Sequence, residues 1–266
     1  MNIRLIYPGL LFLALLSIGW RGHDYRKIEN HTFHRGEFLK FRIHYGLITA
    51  GFATLEVKEE KKIVKGRNCY HIVGQGFTNQ AFDVVYKVRD YYETFMDEES
   101  LISLRFNRHI REGGFENYSE THFDHQKGKA LYIDHKKRHT VYDVPPNIQD
   151  VISAFYFART RYDQDSLKPG DRISLQNFLD RKNFGLEASL ITREKIKIDG
   201  VWYKALKMNL LIEEAGLVTD GSTIVFWISD DDNKIPLRIQ SELMIGSLKA
   251  DLIEYQNLRN PFKAKI

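Results

Sequence analysis

Residues 38–45 read FLKFRIHY, and an apolar side chain occupies every second position of this stretch. Such a period of two predicts a β-strand with one buried and one exposed face. The same alternation recurs over 202–212 and 235–243. Residues 223–228, TIVFWI, are apolar on both faces and predict a strand that is covered on both sides.

Short turns that end in glycine separate the strand-like runs. They are Lys65-Gly66, Lys127-Gly128, Asp199-Gly200 and Ile245-Gly246. Glycine tolerates the positive φ that tight hairpins require, so each pair predicts a link between antiparallel neighbours. The runs between turns predict about ten to twelve strands without helical crossovers. We therefore expect a mainly β fold, a single antiparallel meander that curls into an open or closed barrel.

One stretch has helical spacing, IQDVISAFYFARTR at 148–161. Asn147 is its predicted N-cap, Asp150 falls in the first turn, and basic residues lie at the C-terminal end. Its apolar residues cover most of the circumference, so the helix must be enclosed. Because a barrel of about ten or more strands leaves interior space, we expect this helix to plug the barrel or to form its lid.

The chain termini predict the cellular location. Residues 1–19 carry Arg4, an apolar run and small residues near position 19, which is typical of a secretory signal peptide. The apolar run is too short for a membrane anchor. The only cysteine, Cys69, lies far from the run, so a lipoprotein is not expected.

We predict a polar lead-in at 20–30, one β-rich domain at 31–258 and a basic tail at 259–266. The mature protein should be exported, soluble and without a transmembrane span.

Composition excludes several classes of protein. The formal net charge is +4 over 266 residues, without the basic face that a nucleic-acid-binding protein needs. A single cysteine cannot form an intramolecular disulfide. The chain holds no phosphate-binding loop, dinucleotide fingerprint or G-x-S-x-G motif. We therefore expect no cofactor and no catalytic residue, and the balance favours a protein that is not an enzyme.

Histidine and cysteine pairs suggest no reaction either. His122 and His125 would lie on opposite faces of a strand, so we interpret them as the solvated face of a hairpin and not as metal ligands. Cys69 and His71 share a face, but residues two apart on a strand are too distant for a thiol to be activated. We expect a buried thiol and no metal site.

Acidic residues are interpreted in the same way. Residues 230–233, DDDN, lack the glycine and the closing glutamate of a calcium loop, and predict an acidic turn before a strand that begins near Pro236. Asp90, Glu93 and Asp97 are the types that glycoside hydrolysis uses, but any exposed strand carries such residues.

Three stretches resemble a family of exported proteins from Gram-negative bacteria, domain of unknown function 3108. They begin at Phe33 (F-x-x-G-E-x-L, then YG and A-G-x-A), at Asp150 (D-x-x-SAFYFAR) and at Trp227 (WISDD, then Pro236). The resemblance implies an envelope protein and supplies no active site. By architecture alone, a curled sheet with a helical plug also looks like the periplasmic lipoprotein carriers, whose open barrels hold acyl chains.

Aromatic residues exceed what a polar meander requires and indicate an apolar cavity. The predicted lining residues are Phe155 and Trp227 first, then Ile152, Tyr156, Phe226 and Tyr92. The leading hypothesis is a periplasmic, non-enzymatic carrier for a lipid or acyl moiety of the cell envelope. The alternative is a structural or assembly factor that binds another envelope protein. An enzyme that acts on envelope polysaccharide is the third hypothesis.

Overall fold

The computed structural model describes residues 25–214, 217–218, 224–242 and 246–266. The predicted signal peptide lies outside these residues, as do Thr223 at the start of one predicted strand and Ile245 in one predicted turn. None of the helices in the described ranges is long and apolar enough to cross a membrane.

Sixteen strands form one sheet within these ranges, more than the ten to twelve expected. Their bounds are β1 (Phe38–Tyr45), β2 (Ile48–Val57), β3 (Lys62–Val64), β4 (Arg67–Thr78), β5 (Arg89–Asp97), β6 (Ser103–Glu112), β7 (Phe115–Asp124), β8 (Lys129–Asp134), β9 (His139–Asp143), β10 (Arg172–Leu179), β11 (Lys182–Ile198), β12 (Val201–Glu214), β13 (Leu217–Val218), β14 (Ile224–Ser229), β15 (Pro236–Glu242) and β16 (Ser247–Gln256).

The sheet is an antiparallel meander, as predicted. Its order is β10-β11-β12-β14-β15-β16-β1-β2-β4-β5-β6-β7-β8-β9, with β3 paired to β4 and β13 to β12. Strands that follow one another along the chain are therefore neighbours almost everywhere. The first and last strands, β1 and β16, pair with each other in the middle of the sheet. The first and last strands thus lie side by side, and the edges of the sheet fall at β9 and β10.

The barrel stays open between these two edge strands. The segment before the main helix crosses the gap, where Gln149 N donates to Gln176 O at 2.9 Å and Phe178 N donates to Gln149 O at 2.9 Å. Asn183 Nδ2 adds a bond of 2.8 Å to Asp143 O. A few hydrogen bonds thus hold the edges near each other without a continuous ladder.

Two of the predicted turns have the backbone that tight hairpins need. Lys65 and Gly66 have φ of 52° and 75°, and Asp199 and Gly200 have φ of 46° and 85°. These values fit the turn type in which both central residues are left-handed. The Lys127-Gly128 link is longer than predicted. Four residues separate β7 from β8, because the Asp124 side chain accepts a hydrogen bond from Lys127 N at 3.1 Å and stabilises a wider turn.

The main helix, α2 (Val151–Ala158), is shorter than predicted, and its N-cap is Asp150 instead of Asn147. Asp150 Oδ1 accepts from Ile152 N and Ser153 N at 2.8 and 2.9 Å, while Ser153 Oγ accepts from Asp150 N at 3.0 Å. This reciprocal capping box makes Asp150 the N-cap of the helix. Asn147 has a φ of 59° and lies outside the helix. A short helix, α1 (Gln80–Asp83), joins β4 to β5 and was not predicted.

Helix α2 divides the interior of the barrel. One of its faces, with Ile152, Tyr156 and Phe157, is buried in the largest core cluster against β4 to β8. The approach to β4 is close at Gly74, where an added Cβ would lie 3.3 Å from Ile152 Cδ1 and from Leu55 Cδ2. The interior on this side of the helix is therefore packed.

The segments that flank the sheet also pack against it. Lys204 N donates to Ala264 O at 2.8 Å and Ile266 N to Trp202 O at 2.9 Å, so the C-terminal segment runs along β12. In the lead-in, Ile28 N donates to Glu99 O at 2.8 Å. Both segments thus form part of the surface of the barrel.

Candidate functional site: an apolar cavity beside the helix

A cavity of about 430 Å³ lies on the other side of α2 from the packed core. The helix contributes Val151, Ala154, Phe155 and Ala158 to its wall. These residues have the i, i+3, i+4, i+7 spacing of a single helical face. Because both faces of α2 are apolar, one can fill the core while the other lines the cavity.

The opposite wall is formed by alternate residues of four consecutive sheet neighbours. They are Ile173, Leu175 and Leu179 of β10, Phe184, Leu186 and Ala188 of β11, Met208, Leu210 and Ile212 of β12, and Phe226 and Ile228 of β14. Pro236 and Ile239 of β15 and Leu55 of β2 complete it. The alternation places every second side chain of each strand inside.

Three polar residues, Arg159, Tyr162 and Lys234, gather at one end of the cavity. Arg159 is only 2% exposed. It donates to both oxygens of the buried Glu37 carboxylate at 2.6 and 2.8 Å, and to Asn233 O at 2.8 and 3.1 Å. Burial alone would lower the pKa of this guanidinium, but the charge and hydrogen bonds of Glu37 raise it above its ordinary value. Arg159 is thus permanently charged and internally paired.

Lys234 is in a different position. Its side chain is 8% exposed, and Nζ donates to Tyr162 O at 2.6 Å while lying 4.8 Å from the centre of the Tyr162 ring. Burial lowers the pKa of Lys234, because a low dielectric disfavours the ammonium. A second pocket, polar and about 450 Å³ in volume, adjoins the cavity here and shares Tyr162 and Lys234 with it.

The predicted lining residues separate into two groups. Phe155 and Phe226 line the cavity. Ile152, Tyr156 and Tyr92 belong to the packed core on the far side of α2. Trp227 lies on the other face of β14, in a second core cluster, where its Nε1 donates to Glu194 Oε1 at 2.5 Å. Sequence could not separate these residues, because both faces of β14 and both faces of α2 are apolar.

Sequence reasoning missed Lys234 and most of the β10 to β12 wall. The wall could have been predicted from the alternation of Phe184, Leu186 and Ala188 with exposed or polar positions. No sequence pattern predicts the burial of Lys234. It follows an acidic turn, where a lysine is normally solvated, and only the return of the chain at 159–162 buries it.

The interpretation of His125 as a solvated residue was wrong. Its side chain is buried, with Nε2 2.6 Å from Ser103 O and the ring stacked 5.9 Å from that of Phe123. Nε2 donates this bond, because a carbonyl oxygen can only accept. Burial lowers the pKa of this imidazole and disfavours its charged form. His122 instead bonds to Glu120. The two histidines therefore point to different surroundings, as their spacing predicted.

Cys69 is a buried thiol, as predicted. It is fully inaccessible, and burial raises its pKa to about 11. His71 does not activate it, because His71 Nε2 bonds to Glu93 Oε1 at 2.7 Å and its ring stacks on Phe95. The thiol therefore stays protonated at neutral pH.

The acidic residues that the sequence singled out have structural partners. Residues 230–233 form the predicted turn, where Asp231 Oδ1 accepts from Ser229 Oγ at 2.8 Å. Asp97 binds Arg67 at 2.5 and 2.9 Å, and Asp90 accepts from Arg111 N at 3.1 Å. Within the described ranges, no group of three or more His, Cys, Asp or Glu residues is arranged to hold a metal ion.

The fold and the cavity define a class: an open, β-barrel-like protein whose central helix separates a packed core from an apolar cavity. Within that class, the chain belongs to the family described as "Protein of unknown function (DUF3108)", whose model matches residues 40–253. This match confirms the family resemblance read from the sequence. No curated protein matches the chain.

The chain is similar to solved structures, and one of them shares its β-barrel-like fold. A β-barrel-like protein of domain of unknown function DUF1849 from Brucella abortus is 11% identical, with a TM-score of 0.56, and the match covers 88% of this chain and 99% of that one. A protein described as exported, with a YmcC-like fold, from Bacteroides fragilis is 11% identical with a TM-score of 0.32, over 88% and 100% of the two chains. A protein described as a lipoprotein from Parabacteroides distasonis is 9% identical with a TM-score of 0.31, over 88% and 100%.

Proposed function

We propose that this protein is an exported, non-enzymatic carrier that holds the apolar chain of a lipid or acyl group between α2 and strands β10 to β15. One observation carries the proposal: a cavity of about 430 Å³ whose wall is apolar everywhere except at the end formed by Arg159, Tyr162 and Lys234. Its volume lies within the range of about 300–1,000 Å³ that is usual for small-molecule sites.

The energetics favour a guest of this kind. Protein interiors are normally close-packed, with few voids larger than a water molecule. A dry space lined by leucine, isoleucine, phenylalanine and methionine forgoes the contacts that packing would provide. Each methylene transferred into it from water contributes about 0.8 kcal/mol. An acyl chain therefore suits this wall better than a polar metabolite does.

The proposed compartment is the periplasm. The support is the signal-like pattern of residues 1–19, which would direct the chain out of the cytoplasm. A lipid anchor on the mature protein is not proposed, because Cys69 is buried in β4. We propose that the protein shields an envelope lipid or acyl moiety from water in that compartment.

The test uses the neutral fluorescent probe N-phenyl-1-naphthylamine with purified mature protein. We expect saturable binding with enhanced fluorescence, which dodecanoate reverses by competition. Ala158→Phe should weaken binding of the probe at least tenfold, because the new ring occupies the cavity while filling a void that costs little to fill. Ala81→Phe is the matched control. Ala81 is exposed on α1, far from the cavity, and its substitution should leave binding unchanged.

Absence of saturable binding by the wild-type protein would contradict the carrier proposal, as would equal binding by the wild type and the cavity-filled variant. Either result would favour the alternative of an envelope assembly factor. Circular dichroism and the urea midpoint of each variant establish that the comparison is made between folded proteins.

A further inference from the structure

We propose that the guest carries a single negative charge at its head, a carboxylate, and that Lys234 pairs with it at the end of the cavity. The inference rests on the proposed carrier function and names the chemical class of its ligand. It identifies a single-chain fatty acid, or an equivalent acyl carboxylate, as the molecule that fits both the apolar wall and its polar end.

The first argument is the state of Lys234. An ammonium has three donors, and only one is used here, in the bond to Tyr162 O. Among the described residues no carboxylate forms a direct ion pair with Lys234, which is 8% exposed. Asp163, Asp232 and Asp165 attract its charge only from a longer distance. A largely buried ammonium without a direct ion pair is incompletely compensated, and a carboxylate that arrives with the guest would supply that pair.

The second argument is the contrast with Arg159, the other cation at this end. Glu37 binds its guanidinium through both oxygens, and Asn233 O accepts two further bonds. Arg159 is therefore committed to the fold. Among the described residues that line the apolar cavity, Lys234 is therefore the cation that remains available to a guest.

The third argument is position. Lys234 and Tyr162 line both the apolar cavity and the polar pocket. A chain that enters the cavity with its head at this junction keeps every methylene among apolar side chains and leaves the carboxylate beside the ammonium. The head also remains beside the polar side chains of the second pocket, so its desolvation is incomplete.

The polar pocket also limits the charge of the head. Glu29, Asp163 and Asp232 line it, against Arg161 and Lys234. Three acidic groups against two basic ones repel any anion, and they repel a doubly charged phosphate monoester more strongly than a singly charged carboxylate. A carboxylate, with one charge and two oxygens, is therefore the head group that suits Lys234 better.

The first arm of the experiment compares ligands on the wild-type protein. Dodecanoate, dodecan-1-ol and dodecyl phosphate compete against N-phenyl-1-naphthylamine at neutral pH and below their aggregation concentrations. We expect dodecanoate to bind about ten- to hundredfold tighter than the alcohol, as a charge-assisted hydrogen bond would provide. Dodecyl phosphate should bind less tightly than dodecanoate.

The second arm compares variants. Lys234→Met retains the length of the side chain and removes its charge, so the preference for dodecanoate over dodecan-1-ol should disappear while the alcohol binds as before. Lys263→Gln is the control. Lys263 pairs with Asp232 at 3.5 Å near the same pocket, but it is 67% exposed and does not line the cavity. Its loss should not change the preference.

The outcomes separate the two proposals. If none of the three ligands displaces the probe, the carrier proposal fails. If dodecan-1-ol binds as tightly as dodecanoate to the wild type, the chain is held but the carboxylate inference is wrong. Tighter binding of dodecyl phosphate, or an unchanged preference in Lys234→Met, also overturns it. The wild-type arm tests the preference for a carboxylate even if Lys234→Met does not fold.

Discussion

At the scale of single residues, the pair of Glu37 and Arg159 holds the cavity end of the barrel together. Glu37 is fully buried beside β1, Arg159 ends α2, and the two are 122 residues apart in the chain. A buried ion pair adds little compared with apolar residues, but removing one partner leaves a buried charge uncompensated.

Glu37→Gln should therefore lower the free energy of unfolding by about 3–5 kcal/mol, measured by urea denaturation at neutral pH. The amide can still accept one hydrogen bond, but it cannot neutralise Arg159. Glu60→Gln is the control, because Glu60 forms a pair of 2.8 Å with Lys62 that is 76% and 42% exposed at its two side chains. That variant should leave the urea midpoint close to the wild-type value, because solvent screens an exposed pair. Equal effects of the two substitutions would refute the role of the buried pair.

The sequence predicted some of the residues that line the cavity and not others. Phe155 and Phe226 line the cavity, and Trp227 does not. Neighbouring residues on a strand face opposite ways, so composition alone ranks Phe226 and Trp227 equally. Lys234 has no local signature at all, because its burial depends on the return of Tyr162 over it from another element.

At the scale of elements, the start of α2 depends on one carboxylate. Asp150 accepts two backbone bonds of the first helical turn, and its other oxygen accepts from Thr94 Oγ1 of β5 at 2.5 Å. The side chain thus caps the helix and ties it to the packed side of the barrel.

Asp150→Ala should cost about 2 kcal/mol in unfolding free energy, since it removes the cap and the short hydrogen bond from the Thr94 hydroxyl, which retains only a long contact of 3.5 Å to Ser103 Oγ. Asp150→Asn should cost less than about 1 kcal/mol, because asparagine caps equally well.

Burial raises the pKa of Asp150, so the folded state retains the proton to higher pH than the unfolded state. The stability of the wild type should therefore fall, relative to Asp150→Asn, as pH rises above about 3.9. A parallel pH profile for both proteins would contradict this.

The elements differed in how well sequence predicts them. Strands such as β1 and β15 were predicted because period-two alternation and glycine turns act locally. The helix was predicted in type but three residues too long at each end. At its start, Asp150 and Asn147 are both good caps, and tertiary contacts decide between them. The interpretation of His125 as solvated was wrong because a tertiary contact, the bond to Ser103 O of β6, buries its side chain.

At the scale of the whole molecule, the meander followed from sequence, whereas the opening of the barrel did not. The break between β9 and β10 depends on where α2 enters, and the cavity depends on which face of α2 meets the packed core. Both are results of long-range packing that no local pattern encodes. The C-terminal boundary of the domain also depends on long-range packing.

The C-terminal segment lets that extent be tested. Ala264 is fully buried, its N donates to Asp231 Oδ2 at 3.1 Å, and the Phe262 ring lies 4.7 Å from that of Tyr255. Deletion of residues 259–266 removes these contacts together with the two backbone bonds to β12, so it should lower the free energy of unfolding by about 3 kcal/mol or more. Lys263→Gln, which only removes an exposed charge, should leave the urea midpoint unchanged. If the truncated protein unfolds at the wild-type midpoint, the segment is an appendage and the domain ends near 258. If it unfolds earlier, the C-terminal segment is part of the folded domain and stabilises it beside the 231–234 turn, the end of the cavity where Lys234 lies.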